Sequence, residues 1–78
     1  MTTLLRMPDV IATTALARQT LYRDMRRGLF PRPVKLGRAS AWPSDAVDAV
    51  IAARVAGKTD DEIRALVADL QRQRAVAA

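Results

Sequence analysis

The sequence predicts a mainly α-helical domain that carries one small β-hairpin. Apolar residues recur at helical spacing over most of the second half of the chain. Two closely spaced prolines and a Gly-Arg pair interrupt the middle, where short segments favour strands over helices. Half of the 78 residues are apolar, so the chain can bury a core, and one domain is the default at this length.

The first element is a short helix with an extended lead-in. Residues 3–6 are too few for an independent element, and we expect them to place Leu4 or Leu5 in the core. A helix is predicted over about 8–14, because Pro8 suits a first helical turn, where its missing N–H is no loss.

The second predicted helix is the basic one. It begins near Ala17, and Gly28 is suited to close it as a left-handed residue just past its end. At 100° per residue, one half of this helix presents Leu21 and Met25 to a core. The other half carries polar and basic side chains, namely Arg18, Gln19, Tyr22, Arg23, Arg26 and Arg27. Arginine and glutamine on one helix face read guanine and adenine edges in the major groove, although such a face is more often simply solvated.

A hairpin follows the two helices. Pro31 and Pro33 forbid helix. The segment VKLGRASAW then predicts strands at 33–36 and 39–42 around a type II′ turn at Gly37-Arg38. Its exposed polar side chains would be Lys35, Arg38 and Ser40, and we expect Trp42 to hold the hairpin on the core.

The order of these elements has two interpretations. Two short helices joined by three or four residues form either a helix-turn-helix or an ordinary αα-hairpin. A basic hairpin beside a helix-turn-helix is the layout of a winged helix, with three core helices plus a wing. We therefore predict a winged helix-turn-helix with an added C-terminal helix.

The second half of the chain predicts two further helices. In the third helix, Ser44 is the expected N-cap and Gly57 marks the end. The residues of this helix expected to face the core are Val47, Val50, Ile51 and Val55. In the fourth helix, over 60–74, Thr59 and Glu62 form a capping box. Its apolar stripe consists of Ile63, Leu66, Val67 and Leu70, and it packs on the same domain or on a second copy.

Composition excludes several function classes. The chain has no cysteine and no histidine, so thiolate or imidazole metal sites and Cys/His catalysis are absent. We expect no enzyme activity and no cofactor; attack on DNA by Tyr22 would need a larger cationic scaffold. No apolar run approaches ~18 residues and no signal-peptide pattern opens the chain, and the absence of cysteine fits a reducing cytoplasm.

Charge is distributed unevenly along the chain. Residues 1–43 hold eight Lys and Arg against two Asp, a net +6, whereas residues 44–78 hold five against six, a net −1. This asymmetry indicates a polyanion partner for the N-terminal half. An anionic membrane surface fits less well, because no segment pairs its basic face with a large apolar one.

Four short motifs within residues 3–54 resemble a known family. They are Thr20-Leu21-Tyr22-Arg23, Gly28-Leu29-Phe30-Pro31, Pro33-Val34-Lys35-Leu36-Gly37-Arg38 and Ala41-Trp42. Their order resembles the AlpA family of phage and prophage regulators, in the winged-helix group that includes MerR-like proteins and small excisionases. The resemblance implies a sequence-specific protein that binds double-stranded DNA, either a transcriptional regulator or an excisionase (recombination directionality factor). It also implies an integrase as a further partner and leaves open the number of copies on DNA.

The resemblance also implies residue roles. The DNA face of the second helix would comprise Arg18, Gln19, Thr20, Tyr22 and Arg23, and the wing contacts would be Lys35, Arg38 and Ser40. We expect base-edge contacts from Arg18, Gln19 and Arg23, and phosphate contacts from Arg26 and Arg27. Residues 1–57 would form the DNA-binding domain, and residues 58–78 a helix that packs on it or serves self-association.

Two positions depart from the family pattern. Ala15 stands where the family often has glycine, and Ala17 where it often has a serine that would cap the second helix. Losing such a cap costs typically ~1 kcal/mol. Thr14 is an alternative cap for an earlier helix start.

A second function class stays open from the sequence. The fourth helix would suit a small interaction module of the antitoxin or adaptor kind, which would bind a partner through its apolar stripe. DNA binding should weaken steeply with salt, whereas apolar helix pairing should depend on protein concentration instead.

Overall fold

The computed structural model describes residues 3–77, and side chains as far as residue 74. Its helices are α1 (Met7–Thr14), α2 (Arg18–Arg26), α3 (Ser44–Val55) and α4 (Asp60–Ala77). Its strands are β1 (Leu4–Leu5), β2 (Val34–Leu36) and β3 (Ala39–Pro43). The prediction of a mainly helical domain with a small β-element is confirmed, and α4 runs three residues beyond its predicted end.

The predicted hairpin is part of a three-stranded antiparallel sheet. β2 and β3 pair as expected, with Lys35 opposite Ser40. At the turn, Gly37 has a φ of 65°, and Arg38 is not among the positive-φ residues, which fits a type II′ turn. The lead-in pairs with the other edge of β3 as β1, giving the order β1-β3-β2. Of the two leucines in β1, Leu5 packs against the core and Leu4 is 48% exposed.

A left-handed residue turns the chain between α1 and α2. Ala15 has φ 60° and ψ 20°, and its N–H donates to the Ile11 carbonyl. The Thr14 hydroxyl donates to the Val10 carbonyl at 2.7 Å and accepts the Leu16 N–H at 3.2 Å. The alternative that Thr14 caps an earlier start of α2 is therefore wrong, because its hydroxyl completes the turn instead.

The end of α2 follows the predicted glycine termination. Gly28 has φ 76°, its N–H donates to the Met25 carbonyl, and the Leu29 N–H donates to the Asp24 carbonyl at 2.8 Å. These two bonds form a Schellman motif, which satisfies carbonyls that the helix end leaves open.

Trp42 is at the centre of the core, as predicted. Its exposed fraction is 2%, its Nε1 donates to the Pro31 carbonyl at 2.9 Å, and its ring lies 6.5 Å from that of Phe30. The other buried apolar residues of this cluster are Val10, Leu21, Leu29, Val47, Val50, Ile63 and Val67. The core therefore draws on α1, α2, β3, α3 and α4 together.

Two predictions for α3 are wrong. Ser44 is the first helical residue and Pro43 is the N-cap. The Ser44 hydroxyl instead accepts the Thr3 N–H at 2.9 Å, so it fastens the N-terminal segment. Val55 is 83% exposed, because it lies about 80° around the helix from Val47 and thus leaves the buried stripe.

The start of α4 confirms its capping box. The Glu62 N–H donates to the Thr59 hydroxyl at 3.2 Å, and the Glu62 carboxylate accepts the Thr59 N–H at 3.1 Å. The bond that the carboxylate accepts from the Thr59 N–H is the largest cause that lowers the pKa of Glu62, followed by the Thr59 side chain and, more weakly, the charge of Lys58. Further along, Ile63 and Val67 belong to the buried cluster, while Leu66 and Leu70 pack against it half-buried.

Candidate nucleic-acid interface

α2 presents its predicted polar face to solvent. Arg18, Gln19, Tyr22, Arg23, Arg26 and Arg27 are all exposed. Thr20 differs, because it is half-buried on the side of the helix that turns toward the core. Residues four apart on a helix are neighbours, so the exposed side chains form two adjacent rows. One row is Arg18, Tyr22 and Arg26, and the other is Gln19, Arg23 and Arg27.

The opposite face of α2 is held by apolar packing and one ion pair. Leu21 is fully buried, and Met25 packs against the core half-buried. Asp24 is 5% exposed, and its carboxylate pairs with the Arg54 guanidinium of α3 at 2.9 Å. This pair fixes α2 about its own axis, and with it the direction in which the exposed rows point.

The hairpin brings its polar side chains beside α2. Lys35 and Arg38 are exposed and Ser40 is half-buried. Lys35 and Ser40 lie opposite each other on paired strands. Trp42 of β3 is buried in the core, and this anchors the hairpin with Lys35 and Ser40 beside α2.

Two open concavities lie between α2 and the hairpin. One, of about 480 Å³, is lined by Tyr22, Met25, Arg26, Arg32, Pro33, Lys35, Ser40 and Trp42. The other, of about 420 Å³, is lined by Arg6, Met7, Pro8, Arg18, Tyr22, Arg38, Ala39, Ser40 and Trp42. Tyr22, Ser40 and Trp42 line both, so the two concavities flank one ridge. We call this surface the cationic face.

The cationic face gathers six of the ten predicted site residues. They are Arg18, Tyr22, Arg26, Lys35, Arg38 and Ser40. The other four, Gln19, Thr20, Arg23 and Arg27, lie on α2 outside both concavities. Gln19, Arg23 and Arg27 form the exposed row of α2 that lines neither concavity.

Sequence analysis missed two basic residues of this face, Arg6 and Arg32. Arg6 reaches it because β1 pairs with β3, and a two-residue strand gives no usable pattern in the sequence. Arg32 lies between two prolines in the connection from α2 to β2. Its setting between prolines signals an extended, non-helical backbone, but not which surface its side chain joins.

The cations of the two halves of the chain differ in their partners. In the described structure, the ion pairs are Arg54–Asp24, Lys58–Glu62, Arg64–Asp61 and Arg72–Asp69. Every cation in these pairs comes from α3, α4 or the loop between them. Among the residues described, none of the eight Lys and Arg of the N-terminal half forms an ion pair. The basic side chains of the cationic face therefore have no ion-pair partner within the described residues.

Two further observations concern other classes of site. Over residues 3–77, no group of three or more acidic side chains is arranged to hold a metal ion. In the same part of the chain, no helix combines the length and the apolar character that a membrane crossing requires.

The fold and the cationic face define a small, mainly helical domain with an exposed basic surface built from a helix and a hairpin. Residues 3–55 match the family model described as prophage CP4-57 regulatory protein (AlpA). Because this match covers more than half of the chain, the protein belongs to the AlpA family of prophage regulatory proteins. The resemblance inferred from the sequence motifs is confirmed.

The chain is similar to a distant phage relative among curated proteins. The chain is 42% identical to uncharacterized protein ORF88 of Enterobacteria phage P4 over 55 residues, which is 69% of this chain and 62% of the relative. The chain thus spans less than two thirds of that relative's length. No solved structure matches the chain. α4 begins at Asp60, beyond the family match, so the comparisons assign it no role.

Proposed function

We propose that this protein is a sequence-specific DNA-binding regulator of a phage, prophage or integrative element. In this proposal α1, α2 and the hairpin act as a winged helix-turn-helix. The observation that carries it is the convergence of α2 and the hairpin on one face whose cations have no ion-pair partner within the described structure. Free cations on a concave surface attract phosphate.

The dimensions of α2 suit a major groove. Its nine residues span roughly 13.5 Å at 1.5 Å per residue, which corresponds to about four base pairs. The groove is about 12 Å wide and admits one helix. We propose that Arg18, Gln19 and Arg23 contact base edges, while Arg26 and Arg27 contact phosphate.

The hairpin would act as the wing. Lys35, Arg38 and Ser40 lie beside the exposed row of α2 that faces the hairpin, so a duplex docked on α2 passes directly under them. We propose that Arg38 grips the flanking backbone or the minor groove. No step of bond making or breaking is needed, so the proposed function is not enzymatic.

A regulator of transcription and an excisionase would use the same surface. The family description as regulatory protein supports the first directly, and the second is compatible with it. In the excisionase form, the protein would place or bend DNA for an integrase, with one or several copies side by side. Both forms act in the bacterial cytoplasm, on DNA of the nucleoid.

Selection from a random duplex library tests the proposal. The protein is mixed with the library at about 0.15 M salt, where non-specific binding is weak, and bound duplexes are sequenced. We expect one enriched motif. An inverted repeat would indicate a two-fold dimer and direct repeats would indicate head-to-tail copies. If the folded protein enriches no motif, it does not read sequence.

Arg23→Ala tests the assignment of base contacts. If Arg23 reads a base, binding to the selected duplex weakens by about 1–3 kcal/mol, and the preference relaxes at one position. The matched control is Arg72→Ala, which removes the same charge from an exposed α4 residue that lines neither concavity and pairs with Asp69 at 2.8 Å. Equal weakening by both variants would show that only net charge matters.

The interaction-module alternative has less support. Its apolar stripe is already used inside the domain, because Ile63 and Val67 are 4% and 3% exposed. Salt titration separates the two classes, since counterion release makes DNA affinity fall linearly with salt on logarithmic axes. A response to protein concentration alone would favour helix pairing.

A further inference from the structure

α4 grips the backbone of a single residue in the connection between α2 and β2. The Arg32 N–H donates to the Gln71 side-chain oxygen at 2.9 Å. The Arg32 carbonyl accepts from the Arg74 guanidinium, so both backbone polar groups of Arg32 are bound by side chains of α4. On the preceding residue, the Pro31 carbonyl accepts the Trp42 indole N–H.

The side chain of Arg32 is left free by this arrangement. It is exposed, forms no ion pair within the described structure, and lines the larger concavity beside Arg26 and Lys35. The three positive charges around this concavity repel one another, and an anion bound between them would offset that repulsion. Pro31 and Pro33 restrict the local backbone further. An arginine on a fixed backbone loses less conformational entropy on binding than one on a mobile loop.

We infer that Arg32 binds a DNA backbone phosphate at the hairpin end of the cationic face, and that Gln71 and Arg74 of α4 are positioning residues that hold it there. The inference rests on the proposed function and extends it to a helix outside the family match. A phosphate fits better than a base edge, because Arg32 lies off α2, the element proposed to enter the groove. In this arrangement α4 contributes to DNA binding by positioning Arg32, and α4 itself does not contact DNA.

The test is a double-mutant cycle on the selected duplex, read as affinity against salt. Arg32→Ala should lower the salt slope by about one and, at 0.15 M salt, weaken binding about fivefold for all sequences alike. Gln71→Met keeps the side-chain length and removes the acceptor, and it should weaken binding in the same uniform way. In the Arg32→Ala background, Gln71→Met should have no further effect.

Controls separate positioning from loss of fold. Gln73→Met is the matched substitution two residues along α4. Among the described residues, the Gln73 amide bonds to Asp69 of the same helix alone, so this variant should leave affinity unchanged. Thermal unfolding of each variant is recorded alongside. A merely structural role for Gln71 would weaken binding equally in both backgrounds and would overturn the positioning part.

The remaining outcomes are also decisive. An unchanged salt slope in Arg32→Ala would overturn the phosphate contact while leaving the proposed function intact. If the folded, unmodified chain enriches no motif, the proposed sequence-specific function itself fails, whatever Arg32→Ala does to the salt slope. The two failures are therefore distinguishable.

Discussion

Replacing Ala15 by glycine should stabilise the protein. Ala15 is the one non-glycine residue in the described chain with a positive φ, 60°. A side chain with Cβ pays roughly 1–2 kcal/mol for this left-handed conformation, and glycine does not. Glycine also has more conformational entropy than alanine in the unfolded chain. This stabilises the unfolded state by about 0.4–1 kcal/mol and offsets part of the benefit. Ala15 is exposed, so no packing is lost, and the net stabilisation is about 0.5–1 kcal/mol.

Thermal unfolding followed by circular dichroism measures this change. For a chain of 78 residues, the expected rise in Tm is about 2–8 °C. Ala12→Gly is the matched control, since Ala12 is exposed within α1 at a helical φ, and the same substitution there should cost about 0.5–1 kcal/mol. The two variants should therefore shift Tm in opposite directions. A fall in Tm with Ala15→Gly as large as with Ala12→Gly would refute the argument from backbone strain.

Three further predictions concern single side chains. Ala17→Ser should add the missing N-cap bond of α2 and stabilise by about 1 kcal/mol in a denaturant titration, because Ala17 already has the extended backbone of a cap; no gain would mean that the serine hydroxyl does not reach the helix N–H groups. Trp42→Ala should destabilise the protein by about 3–5 kcal/mol. This is a large part of the roughly 4–12 kcal/mol free energy of unfolding expected for a chain of this length. A cooperatively folded variant with unchanged circular dichroism and Tm would contradict the central place of Trp42 in the core. Because the folded pKa of Glu62 is lowered, its contribution to stability is complete above the unfolded pKa and is lost as pH falls through the folded one. Tm should thus fall more steeply below about pH 4.5 in the unmodified chain than in Glu62→Gln, and parallel curves would exclude this carboxylate as the cause.

Features fixed by local physics were predictable from the sequence. The Thr59 and Glu62 capping box, the glycine termination at Gly28 and the turn at Gly37 each depend on residues within four or five positions of one another. The exposed rows of α2 follow equally from helical periodicity. Helical periodicity on α2 and the turn at Gly37 likewise predict the exposure of most candidate site residues on α2 and the hairpin.

Features that depend on distant partners were not predictable in this way. Asp24 is buried and paired with Arg54, thirty positions away, and no pattern within α2 signals that partner. Ser44 has the residue type of an N-cap, yet the hydroxyl is taken by Thr3 across the sheet edge. The place of Arg32 depends on α4, whose side chains reach back about forty positions along the chain.

Val55 shows a different limit. A valine eight positions after Val47 fits a loose apolar pattern of a helix. At 100° per residue, however, eight positions place Val55 about 80° around the helix from Val47. Val47 is fully buried, whereas Val55 is 83% exposed. The core therefore does not cover the side of α3 on which Val55 lies.

The pairing of cations in one half of the chain and not in the other has a kinetic consequence. The net charge is +6 over residues 1–43 and −1 over residues 44–78, so positive charge is concentrated in the half of the chain that builds the cationic face. In the proposed function, DNA that approaches this molecule would exert a torque that turns the cationic face toward it before contact. At 0.1 M salt the screening length is about 10 Å, shorter than the 25 Å smallest extent of the domain, so this alignment acts only over the last stretch of the approach. Collisions at low ionic strength should then be productive more often than the size of the face alone would allow, and this advantage should vanish as salt is added.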